Sequence, residues 1–298
     1  MSYVFYPGCS LDGTAKDFYS STSAVAAKVG LEMPEMEGWI CCGSTAAHNS
    51  DPLLADALPA FNLQKAAGKT VAVACASCYS RLKMANHHIA SDPVVRQRVA
   101  AATGAHYDGA TPVLHLLEIL GRQMEADVEA AVVRPLSGLK VACYYGCLLS
   151  RPPEVTQFDD AEDPTLMDRL LETAGATVVD WPHKTECCGA SFSITDPEII
   201  LDLSDRILEM ARLAGADCIA TACPLCELNL DMRQKDIAAK RGHRYDLPVF
   251  YFTQLLGIAM GAAPKDLSLG SLFVDPHPLL RSKGLDPDKQ PRVAEVTR

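Results

Sequence analysis

The chain has 298 residues, 12 of them cysteine, with 48% hydrophobic residues, 21% charged residues and a formal charge of -10. That length suits two domains of ordinary size, the acidic balance speaks against a general nucleic-acid binder, and no apolar run is long enough to cross a bilayer. The run from Met1 to Cys9 has neither the basic flank nor the small-residue cleavage site of a signal peptide, so a cytoplasmic protein is expected, and in a reducing compartment this many cysteines point to metal or redox work rather than to a disulfide framework.

In chain order, short apolar runs alternate with longer amphipathic stretches. Residues 3–6 read as a buried strand leading into Pro7-Gly8-Cys9. The triplet Cys41-Cys42-Gly43 follows, and then a helix over 51–67, with Asp51 as N-cap and Pro52 in its first position. A strand over 71–74 leads into Cys75-Ala76-Ser77-Cys78. Residues 122–137 join this half to the next, where the same order returns. A strand over 140–144 precedes Gly146-Cys147, Cys187-Cys188-Gly189 precedes a helix over 196–214 capped by Asp196, and a strand over 217–221 precedes Cys223-Pro224-Leu225-Cys226. Beyond Gly261 periodicity fades and Pro264, Pro276, Pro278, Pro287 and Pro291 accumulate, which predicts an extended tail.

The recurrence is a repeat. The segment 112–121 aligns with 248–257 without a gap, at an offset of 136 residues, and the motif cysteines superpose once loop insertions are allowed. Two related domains are therefore expected, at 1–125 and 138–262, followed by a tail over 263–298. Alternating strands and helices place both in the α/β class, with mainly parallel sheets flanked by helices. Cys9, Cys75, Cys147 and Cys223 each fall just past the C-terminal end of a strand, where loops of open α/β sheets converge on ligands. Gly8, Gly43, Gly146 and Gly189 would let the backbone come close to a bulky group there.

Each half thus offers five patterned thiols: a lone cysteine, an adjacent pair and one Cys-x-x-Cys. Zinc needs four ligands in a closed tetrahedron, and five exceed that need. Adjacent cysteines chelate one ion only with strain but can serve two irons of a cluster, and soft thiolates select such clusters. Ferredoxin-type Cys-x-x-Cys-x-x-Cys runs and the Gly-x-Gly-x-x-Gly dinucleotide fingerprint are absent. A thioredoxin-like pair at Cys75/Cys78 or Cys223/Cys226 would leave the remaining patterned cysteines idle.

With spacings of 32 and 33 positions in the first half (9 to 41, 42 to 75) and 40 and 35 in the second (147 to 187, 188 to 223), the pattern resembles the CCG-domain family. With two motifs and the Phe273-Val274-Asp275-Pro276 tail, it resembles the branch of that family formed by the B subunits of heterodisulfide reductase. The resemblance implies two pseudo-symmetric CCG domains with two non-cubane 4Fe-4S clusters at the strand C-terminal ends. One would be bound by Cys9, Cys41, Cys42, Cys75 and Cys78, the other by Cys147, Cys187, Cys188, Cys223 and Cys226. It implies reductive cleavage, or the reverse formation, of a disulfide between the clusters. It further implies two partners in the same complex as electron suppliers, one ferredoxin-like and one containing flavin. The disulfide would be that of small thiols, such as coenzymes M and B, or one carried on a sulfur-carrier protein. Two alternatives stand beside this reading: a CCG-type electron-transfer protein that passes electrons to quinone or another oxidoreductase, and a zinc or sulfur-transfer module.

Cys143 and Cys218 lie outside the motif and read as buried hydrophobes. His48, His87, His88, His183 and Lys184 fall near the cysteine loops, where a proton donor to a departing thiolate would be useful. Arg81 and Lys83 follow Cys78 and could draw an anionic substrate, although a solvated helix face is the simpler reading.

Overall fold

The computed structural model describes residues 2–44, 46–193 and 195–288. The first half is built on β1 (Tyr3–Tyr6), β2 (Thr70–Val73) and β3 (Val113–His115), in the order β1-β2-β3. The second uses β4 (Lys140–Tyr144), β5 (Thr177–Val178), β6 (Cys218–Thr221) and β7 (Val249–Tyr251), in the order β5-β4-β6-β7. Every strand pair is parallel. The strands are apolar on both faces because helices cover both, as parallel sheets require. Laid on each other, β1-β2-β3 match β4-β6-β7. The extra edge strand β5 has its counterpart in a single bridge between Phe5 and Glu35.

The helices that frame the site are α1 (Lys16–Val29), α2 (Pro52–Gln64), α3 (Ala76–Ser91), α4 (Pro93–Thr103), α5 (Leu166–Thr173), α6 (Pro197–Leu213), α7 (Pro224–Met232) and α8 (Phe252–Ala259). Asp51 caps α2 as its sequence context predicts, accepting a bond from the Leu53 amide at 2.7 Å. Asp196 stands at the matching position of α6, but its side chain makes no capping bond. Its ψ of 82°, against 122° at Asp51, turns the backbone out of the extended conformation that aims a carboxylate at the first turn.

The gapless repeat is a strand-to-helix corner, β3 running into the turn Leu116–Glu118 and β7 into α8. In each, a side chain three residues on accepts from the strand's last amide: Glu118 from His115 at 2.8 Å, and Gln254 from Tyr251 at 3.0 Å. The two halves share one hydrophobic core. Phe18 of α1 stacks on Tyr251 at 4.1 Å, Ser21 meets Thr253 at 2.7 Å, and the Tyr79 hydroxyl donates to the Thr156 carbonyl at 2.9 Å.

Residues 263–288 are not the extended tail that their prolines suggest. Pro264–Leu267 and His277–Ser282 are short helices, each with a proline in its opening turn. Leu267, Leu269, Leu280 and Leu285 are buried, and Ser271 donates to Asp17 of α1 at 2.8 Å. The tail positions 289–298 lie outside the described residues.

Candidate metal centres at the strand ends

Cys9 lies three residues past β1, in the turn Gly8–Asp12, and Cys147 three residues past β4. Cys75 and Cys223 are the N-cap residues of α3 and α7, so Cys78 and Cys226 fall in the first turns of those helices. The two Cys-Cys-Gly triplets sit in loops brought over the same sheet edges. In the first half Cys41 Sγ lies 3.5 Å from Cys9 Sγ, and Cys42 Sγ 3.4 Å from Cys78 Sγ. In the second, Cys188 Sγ lies 3.6 Å from Cys226 Sγ, and Cys147 contacts Cys187. All ten motif cysteines are free thiols. Cys9, Cys41 and Cys187 are exposed and Cys147 half-buried, whereas Cys42, Cys75, Cys78, Cys188, Cys223 and Cys226 are buried. Each set thus has a buried floor and an open lip. Among the described residues no three of these sulfurs lie within 4.8 Å of one another.

The backbone around them is shaped for sulfur. Gly8 has φ of +69° and Gly146 of +67°; a Cβ would stand 2.8 Å from Cys78 Sγ at the first and 3.1 Å from Cys226 Sγ at the second. The Gly43 amide donates to Cys41 Sγ at 3.4 Å and the Gly189 amide to Cys187 Sγ at 3.3 Å. Crowding splits the thiols within each set. Contact with Cys41, then with Cys78, holds the Cys42 thiol far below its ordinary range, and contact with Cys147 lowers Cys187 to about 6. Contact with Cys42 raises Cys41, and contact with Cys187 raises Cys147. Each pair of touching thiols thus favours loss of one proton, giving a thiolate, the metal-binding form of cysteine.

Two tyrosines that the sequence reading left unused hold these loops. The Tyr6 hydroxyl donates to the Ile40 carbonyl at 2.8 Å, and the Tyr144 hydroxyl to the Glu186 carbonyl at 2.6 Å. Each anchors the residue just before a Cys-Cys pair. The signal was present, since Tyr6 and Tyr144 align in the repeat. The sets also touch each other. Cys75 meets Cys223, a contact that raises the former and helps lower the latter, while the Ala76 amide donates to the Ala222 carbonyl at 3.3 Å.

Cys143 and Cys218 are fully buried within β4 and β6, and burial pushes both thiols up, in keeping with their reading as hydrophobes. Lys184 is committed to Asp168 at 2.7 Å and Asp163 at 2.8 Å, His88 pairs with Asp56 at 2.8 Å, and Lys83 lies over the Tyr79 ring. His48 and Arg81, in contrast, line a cavity of about 110 Å³ between the halves. All five motif cysteines of the second half line it too, with Ser44 and Ser77. A larger groove of about 500 Å³ elsewhere carries no cysteine, and its His243 and Arg212 are paired with Asp205 and Glu209.

Comparison with known proteins gives this arrangement relatives. The cysteine-rich domain family designated CCG matches residues 3–83 and 141–231. The 8-methylmenaquinol:fumarate reductase membrane anchor subunit of Wolinella succinogenes is 31% identical over 278 residues, covering 92% of this chain and 97% of its own length. The B subunit of the ferredoxin/F420H2-dependent CoB-CoM heterodisulfide reductase of Methanosarcina acetivorans is 30% identical, covering 89% of this chain and 91% of its own. Among solved structures, a hypothetical protein from Helicobacter pylori shares the fold, with a TM-score of 0.72 at 11% identity, over 92% of this chain and 52% of that one.

Proposed function

The chain belongs to the CCG cysteine-rich domain family, and from that premise we propose that it is the component of a multi-subunit oxidoreductase in which a disulfide is cleaved or formed between two iron-sulfur sites. One site would be held by Cys9, Cys41, Cys42, Cys75 and Cys78, the other by Cys147, Cys187, Cys188, Cys223 and Cys226. The thiols fit such a group. A single tetrahedral zinc, with Zn–S of about 2.3 Å, would draw its sulfurs into one tight knot, whereas here contacts run from sulfur to sulfur, through Cys9, Cys41, Cys42, Cys78 and Cys75 in the first set, and among the described residues no three lie within 4.8 Å of one another. The glycines that leave room beside Cys78 and Cys226 add to that fit, as do the amides aimed at Cys41 and Cys187. When bound, two clusters of the non-cubane 4Fe-4S type would supply one-electron steps and iron positions open to a thiolate.

The observation that carries the reading is the cavity between the halves, lined by all five cysteines of the second site, which gives room for a group larger than one ion. The first half forms the facing wall through Ser44, His48, Ala76, Ser77 and Arg81. A disulfide reaching that site from the side of the first half would take two electrons and two protons and leave as two thiols. The nearness of Cys75 to Cys223 would let the two sites share those electrons. Relatives named as B subunits of heterodisulfide reductases support membership in a complex, with ferredoxin-like and flavin-containing partners as the suppliers we propose. Among the described residues no helix is long and apolar enough to cross a membrane.

A second reading is favoured by one finding, the near full-length match to a component of a methylmenaquinol:fumarate reductase. In it the chain relays electrons between a quinone and a partner enzyme and cleaves no disulfide. Anaerobic EPR of the oxidised protein separates the two. A new paramagnetic state on adding a thiol supports disulfide chemistry. No response to any thiol, together with reoxidation of the reduced protein by a menaquinone analogue, contradicts it and favours the relay.

A further inference from the structure

The two cysteine sets meet where β2 and β6 end. Ala74 and Ala222 stand at matching positions of the repeat, each just before the cysteine that caps the next helix, and both are fully buried. At this junction Cys75 touches Cys223, and the Ala76 amide donates to the Ala222 carbonyl at 3.3 Å. A symmetric junction would add the reciprocal bond, from the amide at position 224 to the Ala74 carbonyl. Pro224 stands there and has no N–H to give. A buried carbonyl left without its donor costs free energy comparable to a lost hydrogen bond.

His115, the last residue of β3, supplies the missing donor. Its Nε2 lies 2.7 Å from the Ala74 carbonyl oxygen and also close to the Ala222 carbonyl. The Leu117 amide donates to Nδ1 at 3.1 Å, so Nδ1 carries no proton and the Nε2 hydrogen is the one aimed at the strand ends. The ring is fully buried and held edge-on by Tyr79 and Phe158, with centroids 5.7 and 6.1 Å away. In the gapless repeat His115 corresponds to Tyr251, whose hydroxyl donates to Glu227 instead. The Ala222 carbonyl already has the Ala76 amide, so the second half needs no such bridge.

Building on the reading of two iron-sulfur sites, we propose that His115 is a positioning residue: by donating to the strand end beside Cys75 it fixes how Cys75 lies against Cys223, and so sets the electronic coupling between the two sites. It binds neither cluster. Bonds of this kind, made behind a ligand rather than to the metal, orient ligands and tune the centre they hold.

The test uses the anaerobically purified full chain, reduced until each site carries an unpaired electron, and reads the EPR splitting that interaction between the two spins produces. His115→Asn keeps an acceptor for the Leu117 amide, as a preferred cap residue, but is too short to reach Ala74. His115→Gln, one methylene longer, restores the reach. The unmodified protein and His115→Gln are expected to show the splitting. His115→Asn is expected to lose it while holding as much iron as the unmodified chain. A core residue with no part in the junction would lower the melting temperature of both variants and leave the splitting as it was. Unchanged splitting in His115→Asn, loss of iron from it, a Gln variant that behaves like the Asn variant, or an iron-loaded unmodified chain without splitting overturns the inference alone. An unmodified chain that binds no iron removes the two-site reading and the inference together.

Discussion

Gly8 and Gly146 show how tightly the backbone is fitted to the sulfurs. At Gly8 an added methyl meets two penalties at once, a left-handed φ of +69° and a Cβ 2.8 Å from Cys78 Sγ. The backbone term alone is about 1–2 kcal/mol, and the contact forces Cys78 to shift. Gly8→Ala is therefore expected to lower the iron bound at the first site while leaving the second intact, so that iron per chain falls by about half. A variant that keeps its full iron content would show that Cys78 is not part of that site. The cysteines and the glycines beside them were legible in the sequence because their identity and spacing carry the chemistry. Arg81 and His48 were visible only as two of several polar residues near the loops. Which of these faces a cavity depends on how the halves are set against each other, and no local pattern encodes that.

At the scale of elements, the cysteine loops are held by side chains rather than by regular structure. Tyr144→Phe removes the bond from the Tyr144 hydroxyl to the Glu186 carbonyl and leaves a polar group unsatisfied beneath the Cys187-Cys188 loop. The expected loss is about 1–2 kcal/mol, seen as a lower melting temperature and faster stripping of iron from the second site by a chelator. Unchanged chelation kinetics would mean that the loop does not rely on this anchor. The strands next to the cysteines were readable as short apolar runs. The two-residue β5 and the lone Phe5–Glu35 bridge were not, because pairing at a sheet edge leaves no periodicity over so short a span. The segment after Gly261 misled for a related reason. Its prolines break any amphipathic pattern, yet Pro264 and Pro276 stand where helices begin, and its leucines are buried one by one against surfaces distant in sequence.

Across the whole molecule, α1 of the first half is packed into the second. Phe18→Ala deletes a fully buried ring stacked on Tyr251 and is expected to cost about 3–5 kcal/mol, lowering the one unfolding transition that a shared core implies. Two separate transitions in denaturant would show that the halves fold independently. The same interface holds buried carboxylates. Burial, then the nearby Asp231 and Asp17, pushes Glu227 up to about 8, and burial, opposed by bonds from the Phe273 and Val274 amides, pushes Asp231 up to about 7. Both groups bind protons more tightly in the folded state than in the unfolded chain. Their contribution is therefore present at low pH and is lost as pH rises from the ordinary carboxylate range to about 8. The melting temperature is expected to fall between pH 5 and pH 8, and Glu227→Gln with Asp231→Asn to flatten that slope; an unaltered slope in the double variant would assign it to other groups.

The claim on which the rest depends is that two sets of five cysteines each hold their own iron-sulfur cluster. Iron, acid-labile sulfide and zinc measured on the anaerobically purified chain, beside Cys78→Ser and Cys226→Ser, test it most directly. The predicted result is about eight irons and eight sulfides per chain, taking four of each per cluster, with roughly half lost in either variant. Zinc in place of iron, or iron unchanged by both substitutions, would contradict it.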